Sequence, residues 1–275
     1  MRTVARLFHA QGCDVRSLFL PAGAPHPTED LFSALRGAEA VLLPLPASRD
    51  DIYPTAEAGQ PVPRISDILS HAEGECLLLG GMLSPALLSA ARASGIEAAD
   101  YYESETLLDK NAALTAEAAV GMAIADLPHS LCGAPVAVIG AGRIARHLVR
   151  LLTPFAPKLL LYARRPAAWE AAAGTGAAIF PINEGETLRL PPTVQAVFCT
   201  VPVLLFNRAA IAALPSGIPF YDLGGGGIER EAAAAHGILL PPSAGLPGRI
   251  SPESAGEYLY DEIRSILSQK RGLKL

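Results

Sequence analysis

Residues 136–145 read Val-Ala-Val-Ile-Gly-Ala-Gly-Arg-Ile-Ala. An apolar run of strand type ends in Gly140-x-Gly142-x-x-Ala145 and passes into a helical pattern from Arg143 to Leu152. Glycines at this spacing, between a strand and a helix, form the turn that binds a dinucleotide pyrophosphate. Gly140 permits the tight turn, Gly142 lets the backbone approach a phosphate, and Ala145 lets helix and strand pack closely. The first N–H groups of the helix then face the anion, and the helix dipole favours its charge. Ala141, Arg143 and Ile144 complete the loop. The competing reading is an ordinary strand-to-helix turn; the correct flanking elements favour a cofactor.

The next apolar run, Lys158 to Tyr162, is followed by Ala163-Arg164-Arg165. An NAD site places Asp or Glu at this strand end to accept bonds from the ribose hydroxyls. An acidic residue would repel a 2′-phosphate, whereas an arginine fork binds it. The pattern therefore points to NADP(H), with Arg164 the main phosphate ligand and Arg165 beside it. The alternative is a solvated basic turn. Three further segments belong at strand ends: Thr200-Val201-Pro202, Asp222 with Gly224 to Gly227, and Gly245-Leu246-Pro247. The last is expected near the nicotinamide ring. Each is equally compatible with a loop shaped by turn chemistry alone.

These residues need a scaffold, and the chain supplies βα alternation throughout. After the glycine turn, strands are expected at 158–163, 177–180, 194–200, 218–223 and 237–240, with helices at 166–173, 207–213 and 228–235. Strands alternating with short helices imply a doubly wound, Rossmann-type parallel sheet. Upstream, helices at 2–11, 29–36, 64–70 and 84–93 alternate with strands at 14–20, 40–45 and 76–80. They make a smaller α/β, flavodoxin-like domain. An Ala-rich helix at 114–127 joins the two, and a final helix spans 252–268. The expected division is a substrate domain at 1–108, a connecting helix within 109–128 and a nucleotide domain at 129–248. Residues 249–275 are expected to pack back toward the first domain.

The chain has 275 residues, half of them hydrophobic, enough for two cored domains. Its formal net charge is −5 and no basic cluster is interleaved with aromatics, which argues against nucleic acid. No apolar run approaches membrane-spanning length, and residues 1–20 carry no signal-peptide core. Cys13, Cys76, Cys132 and Cys199 lack metal-ligand spacing and read as reduced thiols of a cytoplasmic protein. No metal site is expected. Residues 1–109 contain no lysine, which argues against two-domain dehydrogenases with a catalytic lysine there, unless Lys110 serves. The six histidines lie outside every candidate segment, which argues against a His-dependent hydroxy-acid dehydrogenase.

The order of several segments resembles the A subunit of dipicolinate synthase. They are Leu43 to Asp50, Gly80-Gly81, Asn111 to Glu117, Gly140 to Arg143, Ala163-Arg164, and Ala244 to Gly248 with Pro252 and Ala255-Gly256. The resemblance runs nearly end to end, and the Asn-x-x-x-Thr-x-Glu and Gly-Leu-Pro-Gly segments are its most specific parts. It implies NADP-dependent oxidation of dihydrodipicolinate to dipicolinate. It also implies a second, flavoprotein-like subunit as partner, in a homo- or hetero-oligomer, and the mother-cell cytoplasm of a spore-forming bacterium. Leu114 stands where the family has Pro and Ala118 where it has Gly. Family members open with a strand ending in Gly-Gly-Asp, whereas this chain opens directly in a helix. The resemblance therefore implies an N-terminal domain short of its first strand, with a further segment ahead of Met1.

Oxidising a dihydropyridine dicarboxylate needs a hydride acceptor, a site for two carboxylates and a proton acceptor. Arg49 is the candidate carboxylate clamp, with Ser48 adding a hydroxyl; the alternative is a surface arginine at a strand end. Thr115 and Glu117 are expected at the N-terminus of the connecting helix. There they either cap it or contact substrate, with Glu117 a candidate general base. Asn111 either bonds substrate or ends a turn. A second class of function remains open: a non-catalytic NADP-binding scaffold or regulatory partner of a flavoprotein.

Overall fold

The computed structural model describes residues 1–18, 30–56, 61–73, 75–155, 158–165, 174–183 and 187–272. The chain forms two compact units, Met1–Leu108 with Pro252–Leu275, and Asp109–Ser251.

The first unit runs α1 (Arg2–Ala10), α2 (Leu31–Leu35), β1 (Ala40–Leu42), α3 (Ile65–His71), β2 (Leu77–Gly80), α4 (Pro85–Ala93) and β3 (Glu97–Asp100). A short 3₁₀ turn, Tyr101–Glu103, leads into α5 (Glu105–Asp126), and α10 (Pro252–Arg271) returns to this unit. The strands are parallel in the order β1-β2-β3, with Leu42 opposite Leu79 and Leu79 opposite Ala99. β2 reads Leu-Leu-Leu-Gly and is buried throughout, the composition of a central strand covered on both faces. Val41, Leu43 and Leu78 face a core shared with Leu35, Ile68 and Leu87 of α2, α3 and α4. Leu77 and Leu79 face the opposite core, with Val4 and Phe8 of α1 and Tyr260 and Ile263 of α10. α1 and α10 pack closely: a Cβ on Gly256 would run into the Thr3 side chain, and Phe8 meets Tyr260 edge-on at 4.7 Å.

The second unit contains most of α5, then β4 (Pro135–Ile139), α6 (Arg143–Leu152), β5 (Lys158–Ala163), β6 (Ala178–Pro181) and β7 (Ala196–Cys199). It continues through α7 (Arg208–Ile211), β8 (Phe220–Asp222), α8 (Arg230–His236) and α9 (Leu246–Ile250). Five parallel strands lie in the order β6-β5-β4-β7-β8, the doubly wound arrangement expected. Val136 and Val138 face α5 and α6, while Ala137 and Ile139 face α7 and α8. α6 buries Ala145, Leu148, Val149 and Leu152, the stripe spacing of an amphipathic helix.

Several elements differ from expectation. The helix expected at 114–127 begins at Glu105, because Ser104 accepts the Leu107 N–H and the intervening residues are good helix formers. β3 is unforeseen; Glu-Ala-Ala-Asp has little strand propensity, and pairing with β2 overrides it. The expected strand 237–240 reduces to one bridge, Pro219 to Leu239. α9 is also unforeseen, with Pro247 in its first turn. Of the strand expected at 14–20, residues 14–18 hold only a bridge residue at Ser17, and 19–20 lie outside the described residues. The helix expected at 166–173 also lies outside them.

Candidate functional site

The glycine turn sits at the carboxyl end of β4, where the strand order of the second unit reverses between β4 and β7. Gly140 has φ +111°, and a Cβ there would collide with Thr200 Oγ1, so only glycine fits. Its N–H donates to Tyr162 O at 2.8 Å, which ties the turn to β5. Thr200 closes the other side: its N–H and its hydroxyl both donate to Ile139 O at 2.9 Å. Gly142 caps α6 without any side-chain hydrogen bond, is exposed, and has open space where a Cβ would stand. A ten-residue helix therefore opens with backbone N–H groups and no covering side chain. That arrangement fits a pyrophosphate. Ala141, Arg143 and Ile144 are each half-buried beside it, and Ala145 is fully buried under the turn.

Arg164 and Arg165 follow the end of β5 directly and are both exposed. Among the described residues, no carboxylate stands at that strand end, which is Tyr162-Ala163. The side chain of Tyr162 turns away to stack on Phe180 at 5.0 Å.

The loop after β8 is more tightly built than its glycine content foretells. Asp222 is 7% exposed, and its carboxylate accepts the N–H groups of Gly226 at 2.8 Å and Gly227 at 3.1 Å. A Cβ on Gly224 would meet the Val201 backbone at 2.5 Å, and one on Gly227 would strike Cys199 Sγ. Gly225 and Gly226 have positive φ. The four glycines are thus demanded by packing and backbone conformation, and Asp222 positions the loop. Val201 is half-buried against this loop and Pro202 is exposed. Cys199 beneath it is an inert thiol, its pKa pushed up to about 12 mainly by burial. Gly245 is exposed with φ +63° and caps α9, while Leu246 and Pro247 are buried. Leu246 serves the core of this unit, so the segment presents backbone and Gly245 rather than the leucine side chain.

In the first unit, residues 48–54 close into a compact loop after β1. Ser48 donates to Tyr53 O at 2.6 Å and accepts the Asp51 N–H at 3.0 Å. Asp50 accepts the Ile52 and Tyr53 N–H groups, each at 2.9 Å, and these bonds hold its carboxyl below the usual range. The Ser48 hydroxyl is therefore engaged within its own loop, while Arg49 is exposed. One constellation here was not expected from the sequence. Met82 has φ +59° and is 59% exposed, and its N–H and that of Leu83 donate to the Asp100 carboxylate at 3.0 and 2.7 Å. Gly80-Gly81 after a fully apolar run is the signal that marks it: a Cβ on Gly81 would strike Leu45 and the Tyr101 ring.

Thr115 and Glu117 do not sit at a helix N-terminus. They lie about three turns into α5, so neither caps it. The Thr115 hydroxyl donates to Asn111 O at 2.8 Å, one turn back, and its side chain is buried. Asn111 and Thr115 share one face of α5, whereas Glu117 stands ~200° round from Thr115 and is exposed. The structure thus brings Asn111 and Thr115 together and separates Glu117 from them. Among the described residues, no group of three or more His, Cys, Asp or Glu is placed to hold a metal ion. No helix among them is long and apolar enough to cross a membrane.

No family model matches the chain. A curated relative, the A subunit of dipicolinate synthase from Bacillus subtilis (strain 168), is 22% identical over 234 residues, covering 84% of this chain and 78% of the relative. The crystal structure of the dipicolinate synthase A subunit from Bacillus halodurans superposes with TM-score 0.81 at 22% identity, covering 97% of this chain and 94% of that one. The crystal structure of its Bacillus subtilis counterpart gives TM-score 0.79 at 20% identity, covering 98% and 93%. These likenesses support the family of dipicolinate synthase A subunits. Dehydrogenases share the fold more distantly, an NAD-dependent formate dehydrogenase in complex with NAD among them. The likeness to these dehydrogenases is one of fold.

Proposed function

We propose that the chain is an NADP-dependent oxidoreductase that converts dihydrodipicolinate to dipicolinate, working with a flavoprotein-like second subunit in the mother-cell cytoplasm. The observation that carries the cofactor part is the end of β5. Two exposed arginines, Arg164 and Arg165, stand there, beside a glycine turn open at Gly142. The substrate and the partner rest on the resemblance to the dipicolinate synthase A subunits.

Aromatising the ring removes one hydrogen as hydride and one as proton. When bound, the nicotinamide supplies the hydride acceptor. In this reading the Gly140–Gly142 backbone and the start of α6 hold the pyrophosphate, and Arg164 and Arg165 bind the 2′-phosphate as a charged fork. Thr200 and the Asp222-braced glycine loop shape the wall of the nucleotide site. Gly245, at the head of α9, brings backbone toward the nicotinamide end. Arg49 pairs with a substrate carboxylate while Ser48 keeps its loop closed. Glu117 is the proton acceptor, the one exposed carboxylate of its segment, while Asn111 and Thr115 bond to each other on the opposite face of α5.

The test is direct. Dihydrodipicolinate, NADP⁺ and the chain, with and without its partner, are followed at the absorbance of NADPH. Appearance of NADPH in step with dipicolinate supports the proposal. Tight NADPH binding with no turnover under either condition overturns it in favour of a scaffold or regulatory role.

A further inference from the structure

Left-handed backbone in this chain is given almost throughout to glycine. Among the described residues, 13 glycines have positive φ, and the two other residues that do are Asp51 at +60° and Met82 at +59°. Aspartate adopts that conformation with little difficulty, whereas a long apolar side chain meets its full steric penalty. Glycine at position 82 would remove the penalty. Core packing does not call for the methionine, which is 59% exposed. The residue is held there nonetheless. The Asp100 carboxylate at the end of β3 accepts the Met82 N–H at 3.0 Å, the Leu83 N–H at 2.7 Å and the Tyr102 N–H at 2.7 Å. Strained residues persist where their surroundings over-determine them, and they gather at ligand sites.

The position of Met82 is a second, independent sign. It follows β2, the middle strand of its sheet, at the carboxyl end where open α/β sheets bind ligands. A Cβ on Gly81 would strike Leu45 and Tyr101, so Met82 is the residue of this turn whose side chain is free to leave it. The Ala47 N–H donates to Gly81 O at 2.7 Å, which ties the turn to the segment that opens the 48–54 loop. That loop carries Arg49, and its Ile52 and Tyr53 are exposed, as is Met82. One end of the sheet therefore shows apolar side chains beside arginine. Arg64 stands over the Tyr53 ring at 5.7 Å. Of the acids here, Asp50 is engaged with the Ile52 and Tyr53 N–H groups and Asp100 with its three donors, while Asp51 is exposed.

We propose that Met82 is the residue on which the unsaturated ring of the substrate rests, that it selects planar over saturated dicarboxylates, and that Asp100 is the residue that positions it. The dicarboxylate itself rests on the functional reading above, in which Arg49 binds a carboxylate. A methionine sulfur is polarizable and packs favourably against an unsaturated ring, a contact that changes affinity roughly two- to tenfold. A saturated chain bearing the same two charges gains nothing from it. Asp100 acts through the Met82 backbone and does not itself touch the ligand.

The test uses the full chain and two probes: dipicolinate, and glutarate, a saturated dicarboxylate whose carboxylates are likewise three atoms apart. Calorimetric titration compares the parent with Met82→Gly, and calorimetry gives Tm. Met82→Gly should weaken dipicolinate roughly two- to tenfold and leave glutarate unchanged. It should also melt at or above the parent's Tm, because glycine relieves the backbone. Affinity and stability thus move in opposite directions, which a structural role for the side chain would not produce. Met82→Leu should fall between parent and glycine. Asp100→Asn should weaken dipicolinate in the parent and add nothing in Met82→Gly. Bound dipicolinate should also slow peroxide oxidation of Met82 to its sulfoxide, read peptide by peptide. Dipicolinate affinity unchanged in Met82→Gly, an equal loss for both probes, or Met82 oxidised at the same rate with dipicolinate bound each overturn the assignment and leave the functional reading standing. A parent that binds neither probe overturns both.

Discussion

Replacing Asp222 by alanine tests how the nucleotide unit holds its glycine loop. The carboxylate is 7% exposed and accepts two backbone N–H groups, Gly226 at 2.8 Å and Gly227 at 3.1 Å. Gly226 is exposed, so water replaces much of its lost bond; Gly227 is buried, and its N–H is left without a partner. A hydrogen bond to a charged group contributes ~1.5–3 kcal/mol, and an orphaned buried donor costs ~1–3 kcal/mol. The desolvation of the carboxylate opposes this, so the net loss is about 2–4 kcal/mol. For a unit of this size that lowers Tm by roughly 5–12 °C. Asp222→Asn keeps one acceptor oxygen and loses about half as much. Calorimetry gives Tm, and alkylation of Cys199, read peptide by peptide, reports whether the loop opens. A variant melting within ~1 °C of the parent, with Cys199 still unreactive, would refute the positioning role.

Three further outcomes are expected. Arg49→Ala weakens dipicolinate binding at least tenfold and leaves NADPH affinity unchanged, because Arg49 belongs to the first unit and the glycine turn to the second; paired titrations check this. Glu117→Gln lowers kcat far more than it changes KM if this carboxylate takes the proton, and full turnover in the variant removes it from the chemistry. Burial raises the Tyr101 and Tyr221 phenols above the ordinary value, with the Asp126 carboxylate adding to the effect at Tyr221. A raised folded-state pKa favours folding fully below about pH 10 and loses that contribution as pH climbs. Absorbance at 295 nm should therefore show these two phenols silent until the protein unfolds in alkali.

The second unit is readable from sequence because its signals are local. Val136 to Leu152 carries strand, turn and helix within one window, and the α6 boundaries emerge as expected. Ala163-Arg164-Arg165 likewise sits where the strand pattern places it. Most of the failures are non-local. β3 exists because β2 offers an edge, not because Glu-Ala-Ala-Asp favours extension. The start of α5 depends on the Ser104 cap, and moving it back nine residues from Leu114 converts Thr115 and Glu117 from capping candidates into mid-helix positions on different faces. The Gly224–Gly227 loop looks slack in one dimension; Gly224 and Gly227 are explained by Val201 and Cys199 from a neighbouring strand end, and Gly225 and Gly226 by their positive φ. The Asp100 grip on Met82 joins residues 18 apart across the sheet end; Gly80-Gly81 marks the turn, but nothing local names Asp100 as its partner.

The central claim is a nucleotide site selective for the 2′-phosphate. Calorimetric titration of the full chain with NADPH and with NADH, in the parent and in Arg164→Ala, tests it most directly. A charged arginine–phosphate contact contributes ~1.5–3 kcal/mol, so the parent should prefer NADPH by about tenfold or more. Arg164→Ala should lose most of that preference while its NADH affinity stays the same. Equal affinity of the parent for both nucleotides would contradict the account.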